Sequence, residues 1–245
     1  IVHELIDSFI ERGECDFIRE FTTPLPVYVI ADQLGVPRKD LKDFKHWSDS
    51  FARRLSQMAT PEEQVEDAEN IVAFQFYFEK MINERRKKPC NDMISDLVTT
   101  EIEDPDNGDV RPLNMEELQS VLQQLMVAGN ETTTSAITGG MVSLIKNPEQ
   151  MKALQDDPGK IANAVEEILR MESPSAGMWR VVKKDSEFHG VKIPKDSLVM
   201  LRYHAANRDR QLFDDPNDIH IDRDNADDHI AFGQGIHFCP GAMLA

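Results

Sequence analysis

The chain has 245 residues, of which 40% are hydrophobic and 29% charged, enough apolar material for a core and an ordinary charge content for a water-exposed protein. Its formal net charge is −17, with Asp and Glu spread along the whole length, which argues against nucleic-acid or anionic-membrane partners. Three cysteines, Cys15, Cys90 and Cys239, are too few and too scattered for a disulfide framework or a paired metal site, and they point to a reducing, cytoplasmic compartment; no apolar run reaches bilayer-spanning length.

In chain order, Ile1 to Arg12 reads as an amphipathic helix stopped by Gly13. Pro24 to Gly35 is a second helix, closed by Pro37. Lys39 to Met58 and Pro61 to Lys88 form a long pair, and Thr60-Pro61-Glu62-Glu63 between them supplies a cap, a first-turn proline and acids. Glu101 to Pro112 is acidic and turn-rich, a surface hairpin or loop. Asn114, with Glu117 three residues on, opens a helix that runs to about Lys146 before Asn147-Pro148. At that length it is expected to cross the centre of a domain. A shorter helix spans Gly159 to Met171. The character then changes: Phe188 to Leu201 reads as short strands with tight turns, and Arg208 to Asp228 as polar and irregular. The fold class is mainly α with a small β portion. We expect one partial domain over residues 1–245, with a helical region 1–172, a β and irregular region 173–230, and a cysteine loop 231–241. The chain opens inside a helix and ends just after one begins, so both ends read as cut and an N-terminal anchor is left open.

Three segments carry chemistry. The run Phe232-Gly233-Gln234-Gly235-Ile236-His237-Phe238-Cys239-Pro240-Gly241 is the most specific. A lone cysteine is usually a small buried hydrophobe. Two alternate glycines, however, allow a tight turn and close approach of backbone to a flat ligand. Pro240 suits a first helical position, which would set Cys239 at a helix N-terminus and favour its thiolate. In the long helix, Ala128-Gly129-Asn130-Glu131-Thr132-Thr133 places a costly glycine mid-helix. Gly129 there reads equally as close helix packing. The Thr132 hydroxyl has the spacing to bond the Ala128 carbonyl and open room for a small ligand. Glu167 and Arg170 lie three apart on one helix face, which alone describes a surface ion pair of little value.

Together the three resemble the cytochrome P-450 family, whose cysteine loop reads FGxGxHxCxG in many bacterial members, whose central helix reads [AG]Gx[DE]T[TS], and which carries an ExxR pair. The resemblance implies the C-terminal part of that fold, with a long central helix. It implies haem b with Cys239 as axial iron ligand. Around that group it implies Phe232, Gly233 and Gly241 in the loop, His237 and Arg180 on haem propionates, and Ala128 and Gly129 beside the ring. It makes Thr132 and Glu131 catalytic, Thr132 stabilising activated oxygen and Glu131 relaying protons. Glu167 and Arg170 become a buried scaffold joined by Arg223. Residues Ala176 to Trp179 would edge the substrate pocket. One departure stands out: Pro240 has no N–H, so the sulfur is expected to receive one hydrogen bond fewer, which lowers the iron's potential.

The activity implied is insertion of one atom of dioxygen into a hydrophobic small molecule, with electrons from a partner protein, a ferredoxin with an NAD(P)H-dependent reductase. A haem-thiolate sensor without turnover and an inactive truncated product are the alternatives. Glu131 and Thr132 favour the oxygenase, because a sensor needs no proton relay. The 245 residues alone are expected to be inactive.

Overall fold

A computed structural model describes residues 1–56, 59–104 and 107–244. The expected helix end at Met58, the turn residues Pro105 and Asp106, and Ala245 lie outside the described residues. Contacts divide the chain into two compact units, Ile1–Thr134 and Ser135–Ala245, within the stretch that the sequence presents as one partial domain.

In the first unit, the initial amphipathic stretch is α1 (Val2–Asp7) followed by a 3-10 turn, Ile10–Arg12, that ends on Gly13 at φ 71°. Ser8 interrupts the helix by donating its hydroxyl to the Leu5 carbonyl. A π-helical turn, Ile18–Thr22, leads into α2 (Pro24–Gln33), and α3 (Leu41–Ser56) follows. Helix α4 (Pro61–Lys87) starts on the expected signal: the Glu63 N–H donates to Thr60 Oγ1, and the Glu63 carboxylate accepts the Thr60 N–H. Helices α3 and α4 meet through aromatics. Phe51 and Phe74 lie edge to face at 5.3 Å, and Trp47 packs on Phe74, Tyr77 and Phe78. Each such ring, fully buried, contributes roughly 2–3 kcal/mol.

Helix α5 (Met93–Thr99) is capped by Asp92, which accepts the Ser95 N–H. The acidic stretch is a hairpin, β1 (Glu101–Glu103) antiparallel to β2 (Val110–Pro112). Helix α6 (Met115–Lys146) is 32 residues long. It opens with reciprocal bonds between Asn114 and Glu117, both within 3 Å. Leu118, Leu122, Met126 and Asn130, spaced four apart, are its buried face in the first unit.

In the second unit, α7 (Pro148–Asp156) begins at Pro148 and α8 (Ile161–Glu172) follows a 3-10 turn. The β portion is two separate ribbons: β3 (Met178–Val181) pairs antiparallel with β6 (Leu198–Leu201), and β4 (Ser186–Phe188) with β5 (Val191–Ile193). After α9 (Tyr203–Ala206) the chain is irregular to residue 228, apart from a 3-10 turn at Ala226–Asp228. Side chains from the preceding helices satisfy its backbone: Gln150 accepts the Ile221 N–H, and Asn163 donates to the carbonyls of Ile221 and Arg223.

Candidate functional site: a cysteine loop on a buried ion-pair scaffold

Helix α8 turns two of its four charged residues inward. Glu167 and Arg170 are both 0% exposed, so the pair is no surface ornament. Arg170 grips Glu167 with two bonds, Nε to Oε2 at 2.7 Å and Nη2 to Oε1 at 2.8 Å. Its Nη1 donates to the carbonyls of Asn207 and Pro216, each at 2.8 Å, and its guanidinium lies 5.0 Å over the Phe213 ring. Arg223 Nε donates to both Glu167 oxygens, at 3.1 and 3.0 Å, and its Nη1 to the Asp214 carbonyl at 2.6 Å. The His220 N–H adds a further bond to Glu167. Burial alone would raise the Glu167 pKa. The donors Arg170, His220 N–H and Arg223 outweigh it, and the carboxyl is held below its ordinary value. The planar forks of the two arginines thus hold an irregular chain that has no ladder of its own.

This scaffold leads directly to the cysteine loop. Asn207, buried at the end of α9, accepts the Ile230 N–H at 2.8 Å and donates to Ser173 Oγ at 2.9 Å. His229 accepts the Ala231 N–H at Nδ1 and faces Glu166 with Nε2 at 3.0 Å. Sequence reasoning missed both; the only signal was that each adjoins an apolar residue, Ala206 before Asn207 and Ile230 after His229. The loop then folds on backbone bonds: Gly233 N–H to Ile230 O, Phe238 N–H to Gly235 O, and Cys239 N–H to Phe232 O, the last at 2.9 Å. Gly233 is buried at φ 74°, a conformation costly for other residues. A Cβ there would also stand 3.2 Å from Tyr203 Oη. Phe232 rests between His229 and Phe238. Cys239 is a half-buried free thiol, and a Cβ on Gly241 would lie 3.9 Å from its sulfur, in ordinary contact.

The helix expected after Cys239 is represented by turns alone among the described residues. Residues 240–244 are turns, with Ala242 N–H on Cys239 O and Leu244 N–H on Gly241 O. These are i to i+3 bonds, and five residues are too few to establish an α-helical ladder. The helix dipole invoked for the thiolate therefore has no support among the described residues.

Ala128, Gly129, Glu131 and Thr132 belong to the first unit, and the other expected site residues to the second. Thr132 Oγ1 donates to the Ala128 carbonyl at 2.8 Å, the bond its spacing predicts. Gly129 has a packing role: a Cβ there would come within 2.7 and 2.8 Å of the Ile30 side chain of α2. Asn130 is buried and donates to Ser48 of α3 at 3.2 Å, while Thr134 donates to the Thr22 carbonyl. These three anchors, at Gly129, Asn130 and Thr134, fix one side of α6 and leave Glu131 exposed. In the second unit Arg180, half-buried on β3, donates to the Trp179 carbonyl, and His237 is exposed. No ion pair engages either of them among the described residues.

Residues 39–245 match the family model described as Cytochrome P450. The chain belongs to the cytochrome P450 family. It is 36% identical over 241 residues to a steroid C26-monooxygenase of Mycobacterium tuberculosis (strain CDC 1551 / Oshkosh), covering 98% of this chain and 63% of that protein. It is 37% identical over 246 residues to cytochrome P450 CYP107DY1 of Priestia megaterium, covering 100% of this chain and 57% of that one. Among solved structures, P450BioI in complex with a hexadec-9Z-enoic acid ligated acyl carrier protein is similar with a TM-score of 0.90 and 34% identity, over 99% of this chain and 61% of that one. This P450 chain thus spans about three-fifths of the length of the relatives it matches.

Members of this family carry haem b on a cysteine thiolate, and the residues present fit that group. Cys239 is unpaired and stands on a loop whose apolar side chains face outward, with Ile236 97% and Phe238 50% exposed. Gly235 has nothing within 4 Å of a would-be Cβ, which leaves open space for a flat apolar ring. No described helix is long and apolar enough to cross a membrane.

Proposed function

We propose that the parent protein is a haem-thiolate monooxygenase that inserts one atom of dioxygen into a hydrophobic small molecule. The observation that carries the reading is the free Cys239 thiol on a loop braced by the Glu167–Arg170–Arg223 scaffold. Haem, once bound, supplies the electron transfer and O–O cleavage. The chain's own residues do the rest. Cys239 presents its sulfur as a thiolate, and Pro240, which lacks an N–H, withholds one hydrogen bond from it. Arg180 and His237 hold propionates, for which both have unengaged donors. Thr132 Oγ1, whose proton rests on the Ala128 carbonyl, keeps its lone pairs free to accept a proton and, by rotating, to pass one on. Glu131, exposed, exchanges protons with water. Ala128 and Gly129 keep the helix surface low beside the ring.

The substrate class is apolar. Similar proteins are named as a steroid C26-monooxygenase and a vitamin D(3) 25-hydroxylase, and exposed Met178 and Trp179 on β3 would edge a pocket for a molecule of that kind. Electrons come from a ferredoxin and its NAD(P)H-dependent reductase, in a reducing cytoplasm that suits three free cysteines. The test is a carbon monoxide difference spectrum of the reduced full-length protein beside Cys239→Ser. A strongly red-shifted band lost in the variant supports thiolate ligation, and its absence from haem-loaded wild type overturns it. Substrate-dependent oxidation of the reduced nicotinamide then separates an oxygenase from a sensor.

A further inference from the structure

His229 stands at the entrance of the cysteine loop, ten positions before Cys239, and the motif-based reading gives it no task. It is 8% exposed. Its two ring nitrogens have different partners. The Ala231 N–H points at Nδ1 at 3.1 Å, and a backbone N–H can only donate. Nδ1 must therefore be the unprotonated nitrogen, so Nε2 carries the hydrogen and donates to Glu166 Oε2 at 3.0 Å. An imidazolium would set a second donor against the Ala231 N–H. The ring also lies 5.9 Å from the Phe232 ring.

The consequence runs along the chain. Asn207 holds the Ile230 N–H and His229 the Ala231 N–H, so two successive donors at the loop entry are taken by side chains. The next residue, Phe232, offers the carbonyl that receives the Cys239 N–H.

We propose that His229, as the neutral Nε2–H tautomer bridging Glu166 and the Ala231 N–H, is the positioning residue that sets the Phe232 carbonyl under Cys239. Without it the Ala231 donor is left buried and unpaired, and the peptide carrying that carbonyl keeps only its own two bonds, Gly233 N–H on Ile230 O and Cys239 N–H on Phe232 O. This rests on the haem-thiolate reading, and it assigns His229 no contact with substrate or cofactor.

The test uses the haem-loaded full-length protein. His229→Phe keeps a ring against Phe232 and removes the acceptor. His229→Asn offers Oδ1 near the place of Nδ1. In carbon monoxide difference spectra, His229→Phe should lose the thiolate-type band about tenfold faster on standing, and His229→Asn should retain it near the wild-type rate. Equal rates for wild type and His229→Phe, or equal failure of both variants, would overturn the proposal. Should His229→Phe not fold, nitrogen NMR of the ¹⁵N-histidine-labelled, carbon monoxide-bound ferrous wild type decides, with His229→Asn identifying the signal. An unprotonated Nδ1 and protonated Nε2 support the proposal; the reverse tautomer or an imidazolium at neutral pH overturns it. Wild type that binds haem without a thiolate band would instead sink the underlying reading.

Discussion

Glu167 concentrates more consequence than any other single side chain described. Two arginines and a backbone N–H converge on its carboxylate at 0% exposure. Removing the charge from one side strands the others, so Glu167→Gln should cost about 3–5 kcal/mol, read as a lower denaturant midpoint of the full-length protein. The pH dependence follows from its lowered pKa. The folded protein binds this proton less readily than the unfolded chain. The contribution is therefore present above the ordinary carboxylate value and is lost as pH falls through the depressed one. Wild type should shed stability in that acidic window, and Glu167→Gln should show a flatter profile there; matching profiles would refute the assignment. Two further residues invite single substitutions. Pro240→Leu restores a backbone N–H beside the sulfur and should raise the iron's reduction potential, measured by redox titration. Thr132→Ala removes the hydroxyl that bonds Ala128 and should lower product formation by roughly 10²- to 10⁴-fold, measured in single turnovers with the haem spectrum intact.

Helices show how far a pattern carries. The capped starts at Thr60 and Asn114 and the extents of α4 and α6 were legible because local bonds decide them. Helix α5 was not: seven residues hold too little periodicity, although Asp92 is its cap. Helix α7 was hidden behind Pro148, which ends one helix and begins another. Strand β3 has its partners 17 to 23 residues away in β6, and such pairing leaves no local trace. At the site, the motifs gave Glu167, Arg170 and Arg223, whereas Asn207 and His229 act through backbone atoms that no side-chain pattern encodes. Gly129 reads two ways in sequence, and the Ile30 contact supports the packing role. Gly129→Ala should destabilise by about 1–3 kcal/mol. Ile30→Ala deletes the atoms it meets, so the double variant should lose much less than the sum of the two singles. Strict additivity in thermal unfolding would contradict the contact.

Over the whole chain, charge and apolar exposure pull in opposite directions. A net charge of −17 favours solubility, yet Ile236 and Met243 are 97% and 100% exposed and Phe76 on α4 68%. The 245 residues produced alone should bind an apolar dye and self-associate in dilute buffer; a monodisperse, dye-negative species in light scattering would count against this. The scaffold also has a consequence for synthesis. Arg223 lies 56 positions after its partner Glu167, which at typical ribosomal speeds is a delay of roughly 3–11 s. During that interval α8 carries a carboxylate and a guanidinium whose remaining partners do not yet exist, so it has reason to stay wet. The segment bearing Cys239 is made later still. The cradle for the metal is therefore closed from behind, by a stretch made only after α8 has left the ribosome.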